Sequence, residues 1–358
     1  SPPLWRTTRC RRTNWLLGIS TGCVCKSQQH YQMVMNRAAS APPMAILPMP
    51  DEALIIAGFV LLMLGGEFVV QGAITIANRL RVPPLLIGFT VVAIGTSLPE
   101  LAVALEAVSR EAPDIAVGGI LGSNVANVML VLGTASLIGA ASETGPGISR
   151  DAGAVAAATA ILLAVVLVGE IVWQLGVLML LGLVAYYAYS YRISKSEEGA
   201  TDEDASWLPD NMMLTTLVTI VGAYMIWNGA EILIEGATGL ASRYGITESV
   251  IGLSIVALGT SLPELAVTLV AGLRKQGGVA VGNILGSNVI NIMGILGVAA
   301  AYSGGLVISS EFADRDVWVV VLTSGFIVAM LLDERRIGKR VGAAMVGGYL
   351  AYMAMLYL

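Results

Sequence analysis

Residues 87–110 read IGFTVVAIGTSLPELAVALEAVSR, and residues 251–274 read IGLSIVALGTSLPELAVTLVAGLR. A shift of 164 positions lays one on the other without a gap, and the match runs on from VGGILGSNVANVMLVLG at 117–133 to VGNILGSNVINIMGILG at 281–297. Between Gly88 and Gly133, 28 of 46 positions are identical to their counterparts. Unrelated apolar segments share far fewer, so the chain is an internal duplication.

Working outward, the duplicated segments lie in a chain that is 56% hydrophobic and only 13% charged, with a mean hydropathy of +0.78. A soluble domain carries about 25% charged residues, so the composition points to a bilayer. A run of about 20 apolar residues spans one. Ten such runs are read near 53–77, 85–108, 114–140, 152–169, 172–191, 212–235, 248–273, 278–302, 316–332 and 341–358. The predicted fold class is an all-α polytopic membrane protein of ten transmembrane helices. Each half holds five spans, and an odd number forces the second half to enter from the other side. Two inverted five-helix repeats follow, an arrangement that puts transport sites at the repeat interface near mid-membrane.

The predicted organisation is a first repeat domain at 44–191, an acidic linker at 192–210 containing SKSEEGATDEDAS, and a second repeat domain at 211–358. Residues 1–43 form a tail that does not belong with the rest. It holds all three cysteines, the single histidine and six of the 20 Lys and Arg residues. Its apolar stretch, Trp15 to Ile19, is too short to span. An upstream extension or an artefact is expected, with Met33, Met35 or Met44 as the natural start. A signal-like segment is an alternative. A metal site from Cys23, Cys25 and His30 lacks four well-spaced ligands.

Lys and Arg gather on the cytoplasmic side of membrane proteins. With ten spans, one side carries Arg110, Arg243 and Arg315, whereas the other carries the remaining 11 of the core's cationic residues. The second side, with the linker, is expected to be cytoplasmic and the core termini outside, in a multi-pass protein of the plasma membrane. The positive charges of the tail run against this, another reason to set it aside.

The chemistry lies in the duplicated motifs. GTSLPE occurs at 95–100 and 259–264, in mid-span. Proline has no N–H and clashes with the carbonyl four residues back, so Pro99 and Pro263 free the carbonyls of Gly95 and Gly259. Such carbonyls are tolerated in a membrane where they line a cavity or meet a partner. Thr96 and Glu100 are four apart and share a helix face. A mid-span glutamate costs a few kcal/mol, so Glu100 and Glu264 at equivalent positions imply a purpose beyond bonding neighbouring helices. GSNVAN at 122–127 and GSNVIN at 286–291 add Ser123 with Asn127 and Ser287 with Asn291, again four apart. The competing reading is packing, since Gly118 with Gly122 and Gly282 with Gly286 are small-residue contact motifs. Asn124 and Asn288 point elsewhere on the helix.

The donor inventory is all oxygen: two carboxylates, two amides, the hydroxyls of Thr96, Ser97, Ser123, Thr260, Ser261 and Ser287, and carbonyls. It suits a hard cation such as Ca²⁺, which takes about 6–8 oxygens, better than Mg²⁺, which dehydrates reluctantly. Two carboxylates balance one Ca²⁺ or two monovalent ions, which makes competition at one site easy to envisage. Glu67 and Glu231, also related by the shift, lie inside the first and sixth spans, where a structural role is favoured over guiding ions. Gln71 and Glu235 occupy the next equivalent position.

The paired GTSLPE and GSNxxN segments resemble the alpha repeats of the calcium/cation antiporter superfamily, and most closely its microbial sodium/calcium exchangers, over about 44–358. The resemblance implies ten transmembrane helices, with helices 1 and 6 sliding over a fixed core. It also implies a centre of Glu100, Asn127, Glu264 and Asn291, flanked by Thr96, Ser97, Ser123, Thr260, Ser261, Ser287 and the carbonyls of Ala93 and Ala257. Some relatives carry aspartate at the position of Asn291, which bears on ion coupling. The expected function is secondary active exchange of Na⁺ for Ca²⁺, with Ca²⁺ and Na⁺ the only ligands besides the bilayer, no organic cofactor, no nucleic-acid partner and a monomeric working unit. The rival from the same superfamily is Ca²⁺/H⁺ exchange, which the lack of an intramembrane histidine disfavours. An intramembrane hydrolase would need a catalytic pair, and no Lys or His accompanies Ser97 or Ser261. A passive channel fits an inverted repeat poorly. The chain is not expected to be an enzyme.

Overall fold

The computed structural model describes residues 50–139, 141, 147–196, 206–209, 211–244, 259–333 and 337–356. The tail at 1–43, most of the acidic linker, the start of the seventh apolar run and Ala257 lie outside them. The described chain is helical: α1 (Asp51–Leu80), α2 (Pro84–Thr96), α3 (Leu98–Ser109), α4 (Pro113–Leu137), α5 (Ile148–Val168), α6 (Trp173–Ser196), α7 (Met212–Arg243), α8 (Leu262–Leu273), α9 (Gly277–Ser303), α10 (Phe312–Leu332) and α11 (Lys339–Leu356). Among the described residues seven helices are long and apolar enough to cross a membrane, or eight if the bent pair α2–α3 is one span. The protein is a helical polytopic membrane protein.

Proline sets the breaks. The α2–α3 span bends by 44° at Ser97, two residues before Pro99. Hydrogen bonding reaches the break through the Ser97 N–H to the Ala93 carbonyl (3.1 Å) and resumes with the Leu101 N–H to the Ser97 carbonyl (3.1 Å). With no N–H on Pro99, the Gly95 carbonyl loses its helical donor. Ser261 before α8 takes the same backbone conformation as Ser97 (φ −91°, ψ 0° against φ −86°, ψ 6°). The identical motif therefore folds identically at this point in both halves.

A feature not foreseen is the π-helical turn. The backbone widens at Gly88–Val92 in α2, at Asn127–Leu132 in α4 and at Ile290–Ile295 in α9. One extra residue per turn shifts which side chains share a face, and such turns are frequent at functional sites. A short antiparallel pair, β1 (Glu170–Val172) with β2 (Gly305–Val307), ties the α5–α6 connection to the end of α9 with Ile171 opposite Leu306.

The core gathers around α9, whose residues Val279 to Val289 are all buried. Its glycines allow α2 to lie directly on it: a Cβ at Gly88 would sit 2.6 Å from the Val279 carbonyl oxygen, and one at Gly282 would collide with the Leu85 carbonyl. The packing reading of the Gly282–Gly286 pair is correct for that pair. Phe89 closes the same contact, with ring centroids 5.7 Å from Tyr186 and 6.2 Å from Tyr187.

Helices α1 and α7 form a second body of contacts. They pack antiparallel along a glycine seam. Cβ atoms at Gly58 and Gly65 would lie 2.7 Å from the carbonyl oxygens of Gly229 and Gly222. At one end Arg243 of α7 holds Asp51 and Glu52 of α1, each at 2.8 Å.

Candidate functional site

The two broken motifs face each other across the buried core. Glu100 lies in the first turn of α3 and Glu264 in the first turn of α8, with 5% and 0% of their surfaces exposed. Negative charge in a first helical turn meets the positive end of the helix dipole, which favours a carboxylate there. The Ser123 hydroxyl donates to Glu100 Oε1 (3.4 Å), and the Ser287 hydroxyl donates to Glu264 Oε1 (3.4 Å). Glutamate and serine are 23 positions apart in both halves, so the repeat builds the same contact twice.

Other bonds cross between halves. The Ser97 hydroxyl donates to Glu264 Oε1 (3.2 Å), and the Asn291 amide donates to Ser123 Oγ (3.2 Å). Thr96 lies 3.4 Å from Ser287 Oγ and donates to the Ala93 carbonyl (3.4 Å) and to Asn283 Oδ1 (3.2 Å). Thus Glu100, Glu264, Thr96, Ser97, Ser123, Ser287 and Asn291 are brought together, with the Ala93 carbonyl at their edge. Asn127 opens the π turn of α4, fully buried. Thr260 and Ser261 sit at the second break, and Ser261 is buried.

Several oxygens of this centre have no hydrogen-bond donor: Glu100 Oε2, Glu264 Oε2, and Oδ1 of Asn127 and Asn291. A buried acceptor left without a partner costs about 1–3 kcal/mol, more when charged. Among the described residues no group of three or more His, Cys, Asp or Glu could hold a metal. The centre has two buried carboxylates and otherwise neutral oxygens.

Sequence reasoning missed three residues. Asn124 is buried and accepts from the Asn291 amide (3.4 Å), so it belongs to the cluster and does not point away. Asn283 and Thr268 extend it on one side, the Asn283 amide donating to Thr268 Oγ1 (3.4 Å). Their repeat counterparts are Gly119 and Ala104. That mismatch, polar against small in the middle of a span, was the available signal. Glu67 and Glu231 lie away from the centre. Glu67 pairs with Arg274 (2.8 Å), and Glu231 accepts from Trp227 Nε1 (2.8 Å) on its own helix.

With this geometry in view, the comparisons with known proteins are specific. The family model described as sodium/calcium exchanger protein matches residues 53–192 and 214–358. The inner membrane protein YrbG of Escherichia coli (strain K12) is 34% identical over 316 residues, covering 85% of this chain and 96% of its own. The sodium/calcium exchanger MaX1 of Methanosarcina acetivorans is 29% identical over 352 residues, covering 85% and 97%. A solved structure of the sodium-calcium exchanger NCX_Mj, soaked with zero Na⁺ and Ca²⁺, is similar with a TM-score of 0.73 at 30% identity, covering 85% of this chain and 98% of that one.

Proposed function

We propose a function from one premise: this chain belongs to the sodium/calcium exchanger protein family, within the calcium/cation antiporter superfamily. It is a transporter, not an enzyme, and the ions its family exchanges are Ca²⁺ and Na⁺. Within that frame the protein uses an inward sodium gradient to export Ca²⁺ by alternating access. The observation that carries this reading is the buried pair Glu100 and Glu264, each with an undonated oxygen, inside a ring of hydroxyls and amides.

Glu100, Glu264, Asn127 and Asn291 form the centre of the transport site. Thr96, Ser97, Ser123, Thr260, Ser261 and Ser287, with the carbonyls of Ala93 and Ala257, complete it. Two carboxylates neutralise one Ca²⁺ and, equally, two Na⁺, so the ions compete for the same oxygens. The charge changes little between the loaded forms, which lets the same buried cavity carry either cargo.

The chain consists of ten transmembrane helices in two inverted repeats, domains 44–191 and 211–358, joined by the 192–210 linker. Support comes from the α1–α7 seam. Gly58 meets Gly229 and Gly65 meets Gly222, and the shift of 164 turns the first pair into the second. A two-fold axis between antiparallel helices has this property. The seam and the Arg243 pairs bind α1 to α7, which suits a pair that slides as one body over a fixed core. The core termini lie outside, the linker is cytoplasmic, and a single chain is the working unit in the plasma membrane.

Reconstituted vesicles loaded with Na⁺ and diluted into Na⁺-free medium test the coupling. Uptake of radiolabelled Ca²⁺ should follow the outward Na⁺ gradient. Equal uptake on a proton gradient without Na⁺ would rule out sodium coupling.

A further inference from the structure

Two pairs of residues related by the 164 shift behave differently. Glu67 of α1, in the first half, and Arg274 at the end of α8, in the second, form an ion pair between helices at 2.8 Å. Glu67 also accepts from Gln71 Nε2 (3.0 Å) and from Trp207 Nε1 (3.3 Å), and the Trp207 ring stands edge-on to Phe68. The counterparts are Glu231 of α7 and Arg110 at the end of α3. These do not meet. Glu231 accepts from Trp227 four residues back, and Arg110 pairs with Glu106 on its own helix.

The surrounding packing differs in the same sense. Helix α1 lies along α8, where a Cβ at Gly66 would approach Val270 at 3.0 Å and the Ala266 carbonyl at 3.3 Å. Helices α7 and α3 share no comparable interface. As a result Val267 on α8 is 0% exposed, whereas its repeat partner Val103 on α3 is 45% exposed. The face of α8 is shut by α1, and the face of α3 stands open.

We propose that Glu67–Arg274 and Glu231–Arg110 are alternating latches of the transport cycle. The first, formed here, holds α1 on α8. In the oppositely facing state the linked α1–α7 pair shifts, Arg274 releases Glu67, and α7 settles on α3. Arg110 then exchanges Glu106 for Glu231, and Glu231 gives up Trp227. Each side of the site is closed by one latch, and the motion that opens one forms the other. Glu235, one turn beyond Glu231, offers Arg110 a second carboxylate where the first half has Gln71. Glu67, Arg110, Glu231 and Arg274 are therefore positioning residues that set which face is open. The proposal rests on the alternating-access reading with inverted repeats.

The test uses the full chain with Cys10, Cys23 and Cys25 changed to serine and one reporter at a time, V103C or V267C. Labelling by a hydrophilic maleimide is measured on purified protein in choline buffer without Ca²⁺ or Na⁺. E67Q should raise labelling of V267C and lower that of V103C by about threefold, the scale on which one exposed ion pair acts. R274Q breaks the same pair from the other side and should do the same. R110Q and E231Q remove the opposite latch and should move both reporters the other way. The charge swap R110E/E231R should return labelling to that of the parent, which loss of the Arg110–Glu106 contact alone would not permit. Variants that shift both reporters in the same direction, or not at all, would overturn the latches. Absence of Ca²⁺ exchange by the parent protein would instead overturn the transport reading, because the labelling is read without ions.

Discussion

The ion centre and the α1–α7 seam are both made of repeat-related residues, yet different physics holds them. The centre is fixed by side-chain bonds that cross between halves, Ser97 to Glu264 and Asn291 to Ser123, all four residues buried. Moving one half there breaks bonds in both. The seam has no such bonds along its length. Gly58, Gly65, Gly222 and Gly229 bring two backbones together, with Leu233, Ile226, Phe68 and Leu61 of the facing helix seated over them, and its ion pairs sit at one end. On the proposed transport reading, the contrast separates a part that keeps its geometry to recognise an ion from a part that changes position to release it.

The largest effect should come from breaking the centre. E100Q or E264Q removes half its formal charge, a loss of about 3 kcal/mol or more for a buried charged site, hence about a hundredfold in Ca²⁺ exchange. Elution as a single species in size-exclusion chromatography should be unchanged, since a neutral amide is the easier side chain to bury. Normal exchange by a well-folded variant would remove that glutamate from the site.

Next come the two kinds of glycine. G282A places a methyl group against the Leu85 carbonyl inside the core, and overpacking of that sort costs about 1–3 kcal/mol. G119A, where nothing lies within 4 Å, should cost nothing, and thermal melting distinguishes them. In the seam, G65A should slow exchange about tenfold, equivalent to about 1.4 kcal/mol of barrier, while lowering the melting temperature less than G282A does. If G65A lowers stability more than rate, the seam is static packing and the contrast with the core fails.

The smallest effect concerns potassium. With Asn127 and Asn291 neutral, the proposed transport site carries two formal negative charges, which one Ca²⁺ would balance. Adding K⁺ would leave an uncompensated charge in a low-dielectric site. Wild-type exchange should therefore be unchanged when K⁺ replaces choline, and N291D should gain stimulation by K⁺. Strict K⁺ dependence of the wild type would show that charge count does not set the ion coupling.

Much of the centre was legible because the repeat marks it. Identical hexapeptides at equivalent depths single out Glu100 and Glu264, and a mid-span proline fixes where Ser97 and Ser261 break their helices. What was not legible depends on geometry that residue types do not encode. The π turns that include Asn127 and Asn291 arise from local backbone widening, and the bond that draws Asn124 into the cluster comes from Asn291 on a distant helix, out of reach of a four-residue spacing. Asn283 and Thr268 sit on one half only and were hidden by a search for symmetry. The β1–β2 pair is three residues long on each side, too short to show period-two alternation. Glu67 pairs with Arg274 across 207 positions, which no local pattern encodes.

Equilibrium binding of ⁴⁵Ca²⁺ to the purified full chain, with Na⁺ as competitor, tests the crossed carboxylate centre most directly. One Ca²⁺ should bind per chain, Na⁺ should displace it, and E100Q and E264Q should each abolish saturable binding. Saturable binding that survives in both variants, or that Na⁺ leaves undisturbed, would mean that Ca²⁺ and Na⁺ do not share the oxygens of Glu100 and Glu264.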